Sequence, residues 1–271
     1  MNLRYFFLRL IRKSIPSRLI TFQLSKQIIV RPAMETRSPV EAADRYETFL
    51  QKTNKRIKGS SVLIFGYGGY LGISMELLER GAKKVYLYDK YAKMNNQKNK
   101  LLVKHYSKYL TKNKDTIIPN KIFLEVIYGD IKEFAIDNPD IKFDLVLSGA
   151  VLEHVEDVDK QIKTLFQLTR EGGLNLHIID LRDHYFKYPF HMLCYKEQIW
   201  KKFLNPKSNL NRLRYNDYKS IFLKYFSNIN IDVIERDDAS FKKIKKKIRP
   251  EFLTGEDHID AVTRIVITAS I

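Results

Sequence analysis

The chain has 271 residues and a mass of 32.0 kDa, enough for one full α/β domain with appendages, and 44% hydrophobic with 12% aromatic residues supply a core that a disordered chain lacks. One cysteine, Cys194, excludes an internal disulfide and any cysteine-rich zinc or iron–sulfur centre, and fits a reducing, cytoplasmic setting. A net charge of +17 and a pI near 9.7 attract polyanions, yet lysine is spread along the whole chain, so much of the surplus is diffuse.

From Met1 to Met34 there is no acid, while Arg4, Arg9, Arg12, Lys13, Arg18, Lys26 and Arg31 are basic. Leu3, Phe6, Phe7, Leu10 and Ile11 form an apolar stripe at helical spacing, and Pro16 stops the helix because the residue before a proline is pushed out of the α region. Arg9 interrupts the apolar run too early for a secretory signal. Residues 1–38 are thus expected to be a basic amphipathic arm. Residues 1–15 suit peripheral contact with an anionic membrane, or packing on the domain or on a second subunit. An arginine-rich transit peptide shares the composition.

Residues 39–271 read as one domain. Val40, Ala43, Tyr46 and Leu50 are spaced as a helix, and apolar runs then alternate with helical patterns as in βαβ units. Ser61–Phe65, Val85–Tyr88, Ile122–Tyr128, Phe143–Leu147 and Leu174–Ile179 read as five strands. The helix carrying Val158, Ile162, Leu165 and Phe166 is expected to end at Gly172. A polar and aromatic insertion, about 181–225, precedes two late strands, Ile229–Ile234 and Ala261–Ala269. The uncharged stretch Gly59–Met75 is too short and too broken by glycine to span a bilayer.

The first strand runs into Gly66-Tyr67-Gly68-Gly69-Tyr70-Leu71-Gly72 and a helix near Ile73. Glycines there let the backbone turn sharply and approach a ligand without a Cβ in the way. Leu71 stands where a third glycine of the dinucleotide fingerprint would fall, and no Lys-Ser or Lys-Thr pair makes a phosphate loop. Asp89 ends the second strand, where a carboxylate accepts hydrogen bonds from both hydroxyls of a ribose. Asp130 ends the third, placed to accept from an adenine amino group while Ile131 packs on the ring. Together these features point to an adenosine-bearing cofactor.

Over roughly Ser60 to Ser270 the sequence resembles the class I S-adenosylmethionine-dependent methyltransferases. The residues that carry the resemblance are Gly66, Gly68, Gly69 and Gly72, Asp89, Asp130, the stretch Leu147 to His154, and Glu171-Gly172-Gly173. It implies a Rossmann-like, mostly parallel seven-stranded sheet with a C-terminal antiparallel hairpin and helices on both faces. S-adenosyl-L-methionine is the implied cofactor, with contacts from Gly66, Tyr67, Gly68, Gly69, Asp89, Lys90, Asp130, Ile131 and Ser148. Phe65 departs from the family, which often has an acid just before the glycine loop. Ile178 to His184, Pro189 to Leu193, Trp200 and Asn211 to Tyr215 look like a bacterial subgroup linked with cell-surface polysaccharide synthesis.

Methyl transfer from a sulfonium needs an oriented nucleophile, and a hydroxyl acceptor also needs proton removal. The open carboxyl ends of the fourth and fifth strands are where such a sheet places ligands. His184, Asp180 and His154 are the catalytic candidates there, His184 first because a histidine titrates near neutral pH. Arg182, Arg212 and Arg214 are candidates to hold a phosphate or carboxylate of the acceptor. Asp180, Asp183 and His184 lie close in sequence, but clustering fixes no geometry, and no metal is assigned. The expected reaction is O-methylation of a sugar or other small anionic glycan precursor. The alternatives are an RNA methyltransferase, an NAD-linked oxidoreductase, and a non-enzymatic cofactor-binding scaffold held by the arm to a membrane or complex. Nucleic acid is the less favoured partner because Ser148-Gly149-Ala150-Val151 lacks the Asn/Asp-Pro-Pro-aromatic pattern of amino-methylating relatives.

Overall fold

A computed structural model describes residues 2–14, 34–184, 187–206 and 209–271. Pro16 and the basic residues Arg18, Lys26 and Arg31 lie outside the described residues. Among the described residues there are nine strands: β1 (Ser61–Phe65), β2 (Lys84–Tyr88), β3 (Leu110–Asn113), β4 (Thr116–Pro119), β5 (Leu124–Ile127), β6 (Phe143–Gly149), β7 (Thr169–Asp180), β8 (Asn228–Arg236) and β9 (Val262–Ser270). Seven form one sheet in the order β5-β2-β1-β6-β7-β9-β8. The first five strands of that order pair in parallel, and β9 runs antiparallel to both β7 and β8. This is the expected Rossmann-like arrangement. Strand order reverses between β1 and β6, which leaves an open crevice beyond their carboxyl ends.

Eight helices matter here: α1 (Leu3–Ser14), α2 (Met34–Arg37), α3 (Pro39–Leu50), α4 (Gly72–Glu79), α5 (Ile131–Asp137), α6 (Val158–Leu168), α7 (Tyr215–Leu223) and α8 (Asp238–Ile244). The parallel strands are apolar on both faces because both are covered. Val62 and Ile64 of β1 point into a core with Tyr46 and Leu50 of α3 and Leu78 of α4. Leu63 points the other way, into a core with Ile162 and Leu165 of α6 and Tyr218 and Phe222 of α7. A third cluster, containing Tyr5, Phe190, Trp200, Leu204, Phe241 and Ile248, holds together a cap beside the carboxyl ends of the strands.

Several expectations change. Residues 110–119 form a separate hairpin, β3 with β4, turning at Lys114 with φ +51°. Helix α6 ends at Leu168, capped by extended Thr169, so Gly172 does not cap it; φ +70° there belongs to the irregular start of β7, where the register with β6 shifts. The cap draws on three pieces of chain, helix α1, the segment after β7 and the segment between β8 and β9, whereas α7 belongs to the main helical layer. In the lysine run, Phe241, Ile244 and Ile248 enter the cap core while Lys242, Lys243, Lys246 and Lys247 are exposed.

Helix α1 docks on the cap through Tyr5 and Arg9, with Phe6 and Leu10 of its apolar stripe packed at the edge of the contact and the other three stripe residues turned outward. Tyr5 and Arg9 are 0% and 1% exposed, whereas Leu3, Phe7 and Ile11 are 58%, 59% and 61% exposed. Among the described residues no helix is long and apolar enough to cross a membrane.

Candidate active site

The glycine loop closes over the end of β2. Gly66, at φ +91°, donates its N–H to the Tyr88 carbonyl at 2.7 Å, and Gly68, at φ +69°, donates to Asp89 Oδ2 at 2.9 Å. L side chains rarely adopt these angles, and a Cβ on Gly66 would overlap Val151. Asp89 Oδ1 accepts from the N–H groups of Tyr91 and Ala92 at 2.9 and 2.7 Å. Its carboxylate is therefore oriented at the loop by backbone donors. A brace that sequence reasoning missed lies behind: buried Asn99 accepts from Leu71 N–H at 2.8 Å and donates to the Gly69 carbonyl at 3.0 Å.

The other expected cofactor contacts divide. Asp130 is exposed and caps α5, accepting from Lys132 N–H at 2.7 Å. Ile131 is 2% exposed and packs in the core, so it offers no surface to a purine ring. Ser148 is also buried, its hydroxyl 2.7 Å from His177 Nδ1, and does not line the crevice. Lys90 is exposed, with its ammonium 5.4 Å from the Tyr91 ring centre. Tyr67 packs inward, and its buried hydroxyl has no hydrogen-bond partner among the described residues.

Beyond β6 the chain turns at Ala150, which holds φ +55° and donates its N–H to the Ile178 carbonyl of β7. A non-glycine residue costs about 1–2 kcal/mol in this conformation. The turn swings Glu153 and His154 across the strand ends, where His184 meets them. The two imidazole rings lie 4.8 Å apart, edge to face. His154 Nδ1 lies 2.7 Å from the Asn209 carbonyl, so that nitrogen carries the proton and donates. Asn211 secures the same turn, donating its amide to the carbonyls of Leu152 and Val155 at 2.8 and 3.1 Å. Glu153 is fully enclosed, and burial, reinforced by the negative charge of Asp180, holds its carboxyl well above the usual carboxylate range.

The remaining candidates hold the frame. Arg182 grips Asp180 with Nε 2.9 Å from Oδ1 and Nη2 2.6 Å from Oδ2, and reaches Glu235 at 3.1 Å. Asp183 turns away from His184 into the cap, paired with Arg9 and accepting from the Tyr5 hydroxyl. The sequence cluster of Asp180, Asp183 and His184 is thereby split. Arg212 is buried, donating to the carbonyls of Met192 and Tyr195 and pairing with Glu197. Arg214 is buried and donates to the carbonyls of Leu181, Asp260 and Val262. The acceptor-clamp expectation fails for Arg212 and Arg214, because both are buried, Arg214 donating to three backbone carbonyls and Arg212 to two carbonyls and the Glu197 carboxylate.

Residues 34–231, well over half of the chain, match the family described as a methyltransferase domain. The chain belongs to this methyltransferase family. Similar solved structures include an S-adenosylmethionine-dependent methyltransferase from Mesorhizobium loti, 18% identical over 85% of this chain and 99% of that one, with a TM-score of 0.47. Another is the magnesium protoporphyrin IX methyltransferase of Synechocystis with bound SAH, 15% identical over 98% of this chain and 99% of that one, with a TM-score of 0.49. No curated protein matches the chain.

S-adenosyl-L-methionine is the cofactor of a methyltransferase of this family, and the residues around the crevice fit it. The glycine loop gives a close backbone approach, Asp89 stands at the end of β2, and a carboxyl group supplied by α2 stands near the end of β6. That group is Glu35, which sequence reasoning missed. A Cβ on Gly149 would overlap its Oε1, and a Cβ on Gly68 would overlap the hydroxyl of neighbouring Thr36. Glu35 is 3% exposed; its Oε1 accepts from the Tyr46 hydroxyl at 2.7 Å, and its Oε2 has no hydrogen-bond partner among the described residues. Burial raises its carboxyl above the ordinary value.

Proposed function

We propose that this methyltransferase methylates a hydroxyl oxygen of a sugar or similar small glycan precursor, in the crevice between the glycine loop and the cap. The observation that carries the reading is the meeting of His154, His184 and Glu153 at the carboxyl ends of β6 and β7. S-adenosyl-L-methionine supplies, when bound, a methyl group already activated on a sulfonium. Asp89 holds the ribose hydroxyls, Asp130 takes the adenine amino group, and the glycine loop lies along the methionine portion. Glu35 faces the methionine ammonium and so replaces the acid that Phe65 does not provide. On the acceptor side His184 takes the hydroxyl proton, a contribution of about 10² to 10⁴ in rate. Asp180, fixed by Arg182, keeps a carboxylate beside that proton path.

Two features support this acceptor class: the imidazoles gathered at the strand ends, which suit a hydroxyl that must lose a proton, and the resemblance, in sequence alone, of the segment after β7 to enzymes of surface-polysaccharide synthesis. The test is methylation of nucleotide sugars and lipid-linked glycans beside structured RNA, read as a mass gain of one methyl group. Transfer to the sugar compounds that falls in His184→Ala supports the reading. Transfer to RNA alone, or full activity in His184→Ala, overturns it.

A second feature concerns location. The exposed stripe Leu3, Phe7 and Ile11 lies on a helix that also carries exposed Arg4, whereas Lys13 donates to the Lys201 and Lys202 carbonyls of the cap. We propose that it rests on an anionic bilayer surface, where apolar side chains enter the interface and basic ones meet the headgroups. Replacing the three apolar residues by serine should reduce co-sedimentation with anionic vesicles in a salt-sensitive manner while leaving cofactor affinity intact. Unchanged co-sedimentation would remove the proposal.

A further inference from the structure

We propose that Glu153, His154 and His184 form a binding site for one divalent transition-metal ion on the acceptor side of the methyltransferase crevice. The proposal rests on the acceptor reading above and changes how the hydroxyl is activated. One ligating atom from each of the three residues lies within 4.8 Å of the others. Glu153 is 2% exposed and neither of its carboxylate oxygens has a hydrogen-bond partner among the described residues. A buried carboxylate left in that condition is costly. A cation placed between it and two imidazoles relieves that cost.

The surroundings of His154 point the same way. Because Nδ1 donates to the Asn209 carbonyl, the lone pair sits on Nε2, and a ligating histidine is commonly oriented by such a bond from its other nitrogen. Asn209 is itself held: its amide donates to the His154 carbonyl at 3.1 Å, and its Oδ1 accepts from Asn205 at 2.7 Å. Asn211 N–H donates to the Glu153 carbonyl at 2.8 Å. Two ligands are thus mounted on a turn pinned from the cap. Donors sharing one metal stand about 3 Å apart, so half-buried His184 closes onto the other two.

Two imidazoles and one carboxylate suit manganese, iron, cobalt or zinc, whereas magnesium and calcium prefer oxygen donors throughout. Three protein ligands leave open positions for an acceptor oxygen. A hydroxyl coordinated there would be acidified and would give its proton to water, with His184 holding the metal; in the metal-free site His184 keeps the role of base.

The test is a titration of the metal-stripped full chain with Co²⁺, followed by its visible absorption, without acceptor. One Co²⁺ per chain is expected, with binding weakened about tenfold or more in His184→Ala and in Glu153→Gln, and S-adenosylhomocysteine affinity unchanged in both. No Co²⁺ uptake by the wild type, or equal uptake by His184→Ala, would overturn the site. Intact Co²⁺ binding with no methyl transfer to any hydroxyl acceptor would uphold the metal site and count against the acceptor reading alone.

Discussion

Arg9 and Asp183 form an ion pair with both side chains 0% exposed, tying the amino-terminal helix to the loop that follows β7. The Tyr5 hydroxyl donates to the same carboxylate, and the Arg9 guanidinium lies 5.0 Å from the Trp200 ring centre. The amino-terminal helix is therefore built into the cap that carries His184 beside Asp183.

Breaking one half of that pair leaves the other charge buried and uncompensated, which costs about 3–5 kcal/mol. Arg9→Ala should lower stability by that amount in urea unfolding, and the double variant Arg9→Met with Asp183→Asn should recover most of it. Deletion of residues 1–14 should destabilise the cap as well. A stability unchanged in Arg9→Ala would mean that the helix merely rests on the surface.

Glu35 supplies the next expectation. A hydrogen bond to a charged group is worth about 1.5–3 kcal/mol, so Glu35→Gln should weaken S-adenosylhomocysteine binding by roughly 10- to 150-fold without loss of the folded state. Gly149→Ala should give a similar loss by pushing the Glu35 carboxylate aside. Equal affinity of Glu35→Gln and wild type by calorimetry would assign Glu35 to the frame of the domain and not to the cofactor.

His177 gives a pH dependence. It is fully buried on β7 against Ser148, and burial pushes its pKa down to about 3. Above about pH 6.5 the imidazole is neutral in both the folded and unfolded states, and its contribution is fully present. Below that value the unfolded chain binds a proton that the folded chain refuses, so stability falls by about 1.4 kcal/mol per pH unit towards pH 3. Urea unfolding between pH 7.5 and pH 4.5 should show this slope, flattened by one proton in His177→Asn. Parallel curves for the two proteins would contradict the burial argument.

What was legible in the sequence was local. The strand Ser61–Phe65 and the run from the glycine loop into a helix are short continuous patterns in which residue type dictates backbone shape, and Asp89 stands at a strand end that hydrophobicity alone marks. The β3–β4 hairpin was not legible, because only Leu110 and Ile117 are buried within it and the other residues, Ile118 included, are exposed or half-buried, so no alternation of apolar and polar residues marks it. Arg212 and Arg214 were misread for a different reason: their partners are backbone carbonyls of distant loops, which leave no trace in residue type. Glu35 and Glu153 were hidden in the same way, since a carboxylate in an amphipathic or strand-exit segment looks solvated until the fold encloses it. The apolar stripe of α1 was visible, but its orientation depended on Asp183, far away in the chain.

Calorimetric titration of S-adenosylhomocysteine into the full chain tests the central claim, that the glycine loop and Asp89 hold the methyl donor. One molecule should bind per chain, NAD should give no heat, and Asp89→Ala should bind S-adenosylhomocysteine roughly 10- to 150-fold more weakly. An affinity unchanged in Asp89→Ala, or binding of NAD in place of S-adenosylhomocysteine, would contradict the account.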